Sequence, residues 1–432
     1  MKHFQFTGVW TCQDWTTPAY VSVNDAGLIT HLSSQPPAAA IAIEHIHGLV
    51  LPGFQNAHSH AFQFAMAGLA EQHAPNTADD FWSWREAMYQ CALRFSPDEM
   101  EEVATQAYTE MLRNGYTHVA EFHYLHHDPT GKPYDNLAEM GERLVAAAKN
   151  AGIKITLIPV FYQQGGFGKD PQPRQRRFIS ATVDEYFQLL DDSAHAISYY
   201  EHASLGFSVH SLRAVKPEDI IKTFQHGPKS IPFHLHAAEQ LQEVSDCVDF
   251  LKQRPVEWLL NNLPLDSRFH LVHGTHLNDE EVKRLAHSGA HVVLCPGTEG
   301  NLGDGIFRLR EFAAAGGVWS IGTDSHISLN PLEDLRWLDY AQRLTTHQRN
   351  TFPDGAMTLI NTTQQAGKKA MGINSVGLRV GEPLDAVVYN SRATRLQQVQ
   401  PQQWLPTIVY TMDASQRVGT LVNGVWVNKI NI

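Results

Sequence analysis

Cysteine is scarce. Cys12, Cys91, Cys247 and Cys295 are spread over 432 residues with no CxxC spacing, which excludes a disulfide-stapled scaffold and a cysteine-rich zinc module. They read as reduced core thiols, and a cytoplasmic protein is expected. Positive charge is scarce too. With 33 Lys and Arg against 45 Asp and Glu, the formal net charge of −12 argues against a polyanion-binding surface, so no nucleic-acid partner is expected. No apolar run approaches membrane-span length, and Met1-Lys2-His3-Phe4-Gln5-Phe6 carries no signal-like core, so no membrane partner is expected either. Internal repeats and low-complexity tracts are absent. What remains is a chain 43% apolar, suited to a large core around a small-molecule site.

Histidine, in contrast, is plentiful, at 24 residues. The most informative pair is His58-Ser59-His60, just after the strand-like run Gly48-Leu49-Val50-Leu51-Pro52-Gly53. Residues i and i+2 of a strand share a face, so both imidazoles point one way and make half of a zinc site. Alone such a pair says little in a chain so rich in histidine; its companions carry the reading. Ile231-Pro232-Phe233-His234-Leu235-His236, Phe269-His270-Leu271-Val272-His273 and Trp319-Ser320-Ile321-Gly322-Thr323-Asp324 are apolar runs ending in potential ligands. Ligands at the C-terminal ends of buried strands mark a barrel active site.

The rest of the chain fits a parallel barrel. Strands two, three, four and seven are expected at residues 115–120, 154–161, 205–210 and 291–295, with helices between. Ser96-Pro97-Asp98-Glu99 is a capping box with Pro in the first turn, predicting a helix that ends near Gly115. Both chain ends alternate short apolar runs with turns, and Asn423-Gly424 predicts a hairpin. Residues 163–177 have no helical period and read as a binding loop or lid.

The order and spacing of these ligands resemble the amidohydrolase superfamily in its single-metal deaminase branch. Longer blocks sharpen the likeness: Phe81-Trp82-Ser83-Trp84-Arg85, Ala120-Glu121-Phe122-His123-Tyr124, His210-Ser211-Leu212-Arg213, Asn301-Leu302-Gly303-Asp304-Gly305 and Thr323-Asp324-Ser325-His326 are similar to the formimidoylglutamate deiminases of histidine breakdown. The resemblance implies an α/β fold: a (β/α)8 TIM barrel over residues 51–376, with a small β-sandwich built from residues 1–50 and 377–432. It implies one Zn2+ per chain on His58, His60, His236 and Asp324, a ligand set of three nitrogens and a carboxylate. Glu239, three residues after His236, would move a proton from water to the leaving nitrogen. His273 would polarise the water rather than bind metal, and Asp324 would also orient it. His234 and His276 read as structural or supporting. Strand four carries His210 and Arg213 in place of the lysine that bridges two metals in other members, so a mononuclear site is expected.

Arg213 offers a bidentate fork for a carboxylate, and Arg85 a second. By resemblance, Gln63, Tyr124, His210 and Arg213 match substrate contacts. Together they imply a dicarboxylate substrate and hydrolysis of N-formimino-L-glutamate to N-formyl-L-glutamate and ammonia. An aminohydrolase of nucleobase-like rings or other amidines is the alternative, and a barrel without catalysis is the non-enzyme reading. Gly297 and Gly300 stand where some relatives carry Ser and Ala, which bears on affinity. A homodimer is left open as the assembly.

Overall fold

In the computed structural model, which describes residues 1–38, 42–71, 81–375 and 377–429, eight apolar runs form a parallel barrel. Its strands are β1 (Phe54–Ser59), β2 (Tyr116–His123), β3 (Lys154–Phe161) and β4 (Phe207–Ser211). They continue through β5 (Phe233–Ala237), β6 (Phe269–His273), β7 (His291–Leu294) and β8 (Val318–Ile321). Neighbours pair in parallel from β1 to β8. Every residue of β1, β2, β5, β6 and β7 is buried, because each strand has side chains inside the barrel and helices outside it. The helix Pro97–Asn114 starts at the Ser96/Glu99 capping box and stops at Gly115, whose φ of 98° ends it in the left-handed region.

Closure between β8 and β1 is made by a few residues at their C-terminal ends. The amides of Thr323 and Asp324 both donate to the His58 carbonyl at 3.0 Å, and the His60 amide donates to the Asp324 carbonyl at 3.2 Å. The Asn56 side chain ties the same seam, accepting from the Thr323 amide at 2.9 Å and donating to the Thr323 hydroxyl at 2.7 Å. Gly322 lets the strands approach: a Cβ there would lie 2.7 Å from His58 Cβ and 2.8 Å from its backbone nitrogen.

One expected strand is reassigned. The run at residues 48–53 does not lead the barrel; Glu44–Pro52 belongs to a second sheet, and β1 begins only at Phe54. At the break, the Gly53 amide donates to Asp385 while the Phe54 amide turns to the Gly115 carbonyl. Any Cβ at Gly53 would lie 2.3 Å from Thr117, so the switch between sheets needs glycine there.

That second sheet has eight strands drawn from both chain ends, in one hydrogen-bonded array. Its strand Lys2–Trp10 runs antiparallel to Ala19–Val23 but parallel to Glu44–Pro52, and Glu44–Pro52 runs antiparallel to Ala386–Asn390. Phe4, Phe6, Val21, Leu384 and Leu421 belong to its own apolar core. The hairpin forms at Asn423 and Gly424, both with positive φ (47° and 66°), as a two-residue turn requires. Asp385 joins the sheet to the barrel by accepting from Lys154 Nζ at 2.6 Å and from the Asn423 amide at 2.8 Å.

Residues 163–177 form an ordered wall at the barrel mouth. Gln175 donates to the hydroxyls of Tyr89 (3.1 Å) and Tyr162 (2.9 Å), and Arg174 pairs with Glu86, so the loop is fastened to the helix Phe81–Ala92. Among the described residues no helix is long and apolar enough to cross a membrane.

Because the seam has no room for a methyl group, Gly322→Ala should destabilise the fold by about 1–3 kcal/mol through overpacking against His58. Reversible denaturant melts check this, and an unchanged midpoint would show that the seam yields freely.

Candidate active site

Three imidazoles meet where the barrel closes. His58 comes from the end of β1, His60 from just beyond it, and His236 from β5. His58 Nε2 lies 3.1 Å from His60 Nε2 and 3.0 Å from His236 Nε2. The His60 Nδ1–H donates to the Phe122 carbonyl at 2.8 Å, and the His236 Nδ1–H donates to the His210 carbonyl at 3.0 Å. Each of those rings therefore turns an Nε2 lone pair inward. Burial keeps all three rings neutral, holding His60 down at about 3 and His58 and His236 well below the usual imidazole value.

His58 has at most one Nε2 proton to share between two facing lone pairs, and its Nδ1 is buried without a partner. Neutral protein alone leaves this arrangement unsatisfied. A cation satisfies it: ligands about 2.0–2.1 Å from zinc in a tetrahedron stand roughly 3.3 Å apart, close to the separations here. Asp324 Oδ1 adds an oxygen 3.3 Å from His60 Nε2 and 3.9 Å from His58 Nε2. The donor set fits a divalent ion of zinc type.

Beside it lies a buried cluster of acids around one histidine. His273 Nε2 is 3.7 Å from both Glu239 Oε1 and Asp324 Oδ2, while its Nδ1 faces Glu299 Oε1 at 3.3 Å. Burial alone would lower the His273 value, but Glu239, Glu299 and Asp324 outweigh it and push His273 up to about 10. Burial raises Asp324 to about 7 despite the His273 cation. Ala238, His273, Asp324 and His326 all have positive φ without being glycine, so the backbone strain of the barrel mouth is concentrated at these strand ends.

The third component is cationic. Arg213, in the turn after β4, places Nη2 at 3.1 Å from Glu239 Oε2 and Nη1 at 3.7 Å from Glu243 Oε2. Its Nη1 is buried without a hydrogen-bond acceptor. Arg85 stands over the Trp82 ring, with its guanidinium carbon 4.4 Å from the ring centre. Gln63 donates to the Tyr124 hydroxyl at 2.8 Å, leaving Gln63 Oε1 buried and unpaired. The His210 ring packs on Tyr162 and Tyr124, at 4.7 and 5.6 Å between centres.

Of the eleven residues expected to bind metal, bind substrate or catalyse, ten line one chamber of about 50 Å3, and the eleventh, His58, sits behind its wall. That volume holds about one or two waters. An outer vestibule of about 670 Å3, walled partly by Gly165, Gly166 and Phe167, shares Arg85, Tyr162 and Arg213 with the chamber. His234 lies elsewhere: its Nε2–H donates to the Ala370 carbonyl at 3.0 Å and its ring stacks on His270 at 4.7 Å, a structural position.

Sequence reasoning passed over several acids. Glu299 faces His273, and Glu121 accepts from the Ser59 hydroxyl and the Ala61 amide, both at 2.6 Å. Glu243 accepts from the amides of Ala238 and Glu239. Asp304 lies near Glu239 and His273, with one oxygen unpaired, and burial among like charges raises it to about 9. The spacing of Glu239 and Glu243, four residues apart across a helix start, was the one available signal.

A parallel barrel with three imidazoles and an aspartate at its C-terminal mouth defines a metal-dependent hydrolase architecture. The chain belongs to the amidohydrolase family, whose profile matches residues 49–427. It is 42% identical over 421 residues to the formimidoylglutamate deiminase of Pseudomonas aeruginosa, covering 96% of this chain and 92% of that protein. The 8-oxoguanine deaminase of the same organism is 27% identical, with 85% and 80% covered. Among solved structures, an amidohydrolase from Brucella melitensis superposes with a TM-score of 0.92 at 39% identity, covering 99% of this chain and 94% of that one. An adenosine deaminase from Xanthomonas campestris with bound zinc shares the fold, with a TM-score of 0.82 at 21% identity, covering 100% and 94%.

Removing one inward lone pair should undo the metal site. His60→Ala protein is expected to lose its divalent ion on gel filtration in the presence of a weak chelator, under conditions where the unsubstituted protein retains it; elemental analysis decides, and retention by both would show that His60 is no ligand.

Proposed function

We propose that this chain hydrolyses N-formimino-L-glutamate to N-formyl-L-glutamate and ammonia, a step of histidine degradation, using one zinc ion per chain. The observation that carries the reading is the placement of two guanidinium groups, Arg213 and Arg85, on the same small chamber as the imidazole cluster. A dicarboxylate matches two cations, Arg213 buried and Arg85 half-buried; an uncharged nucleobase would form an ion pair with neither. The formimidoylglutamate deiminase that is 42% identical to the chain supports the same substrate. Four unpaired cysteines suit a cytoplasmic setting.

His58, His60, His236 and Asp324 would hold the ion, which when bound supplies a Lewis acid that lowers the pKa of an attacking water toward about 7. Glu239 takes a proton from that water as its oxygen bonds to the formimino carbon. The charge on His273 stabilises negative charge developing on the oxygen. Glu239 delivers that proton to the terminal nitrogen, then takes the remaining proton from the added hydroxyl and passes it to the same nitrogen; the carbon–nitrogen bond breaks and ammonia leaves as the carbonyl forms. Both water protons end on the departing nitrogen, so atoms balance. Arg213 anchors a carboxylate remote from the reacting carbon, helped by Tyr124, while Arg85 receives the other. Gln63 and His210 line the space between.

Ammonia release from formiminoglutamate, formiminoaspartate and common nucleobases tests the substrate: formiminoglutamate should be preferred, and faster nucleobase deamination would overturn the reading. Elemental analysis of active protein should give about one tightly held divalent ion per chain, and two would contradict a mononuclear mechanism. Glu239→Gln should keep the metal yet lose about 10²-fold or more in turnover. Arg213→Met should lose on the order of 2–5 kcal/mol of transition-state binding, roughly 10²-fold or more in kcat/KM, with metal content unchanged. The loss should shrink for a substrate lacking the contacted carboxylate; equal losses would make Arg213 structural.

A further inference from the structure

Glu243 is an acid that the chemistry above does not use. It lies in the first turn of the helix Leu241–Leu251 and is only 1% exposed. Its Oε1 accepts the Ala238 amide at 3.3 Å, and its Oε2 accepts the Glu239 amide at 3.1 Å. These amides flank a turn in which Ala238 holds a φ of 54°. A neutral carboxamide has one accepting oxygen and could hold only one of these amides, as the Gln403 side chain holds the Gln400 amide at the start of the helix Pro401–Thr411. Holding both takes a carboxylate, and there is a further reason to bury its charge here.

The reason lies in Arg213. Among the described residues its ion-pair partners are Glu239, on Nη2, and Glu243, on Nη1. Glu239 also faces His273 at 3.7 Å, the side on which proton transfer is assigned. Without the Glu243 charge, Arg213 would have Glu239 as its sole anionic partner and would draw that carboxylate toward itself. The same change would leave the guanidinium more attractive to an incoming carboxylate.

We propose that Glu243 is a positioning residue that balances Arg213 from the opposite nitrogen of its fork and anchors the Glu239 backbone, keeping Glu239 free to move a proton while Arg213 holds substrate. The inference rests on the roles given to Glu239 and Arg213 in the proposed function. It couples substrate recognition to proton transfer through a side chain that touches neither the reacting atoms nor the metal ligands' imidazoles.

Steady-state kinetics of the full-length, metal-replete protein on N-formimino-L-glutamate, combined with a double-mutant cycle, test it. Glu243→Gln should lower kcat at least about tenfold while KM stays level or falls, with metal content unchanged. In an Arg213→Met background the same substitution should have a clearly smaller effect on kcat, because the pull on Glu239 is already gone and only the weakened backbone anchor remains. If the Gln variant does not fold, Glu243→Asp, which withdraws the charge by one methylene, should act in the same direction to a smaller degree. A raised KM with kcat intact, a kcat loss that persists in full without Arg213, or loss of metal would each overturn the proposal. The unsubstituted protein's rate tests the substrate assignment, and the change on substituting Glu243 tests this inference, so the two can fail separately.

Discussion

Everything in the site depends on three inward imidazole nitrogens gathered at the seam where the barrel closes. The seam and the site are the same residues: the His58 carbonyl receives the amides of Thr323 and Asp324, and the His60 amide returns the bond to Asp324. Closing the sheet thereby sets the spacing of the donors. The carbonyls of Phe122 and His210 then fix which nitrogen of His60 and His236 faces inward. Packing alone does not favour lone pairs about 3 Å apart, so the fold carries a local cost that a divalent ion removes.

Charge is distributed about that point with a direction. Glu239, Glu299 and Asp324 surround His273 on one side, and Arg213 and Arg85 stand on the other. The acidic side suits an amidine nitrogen that must gain protons and leave; the basic side suits carboxylates that must stay. Glu239 belongs to both, since it touches His273 and Arg213. In the proposed function, recognition and proton transfer therefore share one carboxylate.

Much of this was legible in the sequence because the signals are local. HxH spacing, apolar runs ending in His or Asp, the Ser96 capping box and the Asn423-Gly424 turn depend on neighbours within a few residues. The switch of sheets at Gly53 was signalled only by the Pro52-Gly53 pair, which marks a break without saying which sheet each side joins; contacts with Asp385, Gly115 and Thr117 show where one strand ends and the next begins. Supporting acids were missed for the same reason. Glu121 and Glu299 are defined by partners on other strands or turns, and a buried carboxylate reads in sequence like any surface one.

The central claim is that a single ion sits on three imidazoles and one carboxylate with a position left open. X-ray absorption at the metal edge of the purified protein tests it most directly. The fit should require nitrogen and oxygen neighbours only, near 2.0–2.2 Å. A sulfur scatterer near 2.3 Å, which would bring in Cys295, or a second metal at about 3.5–4 Å would contradict the account.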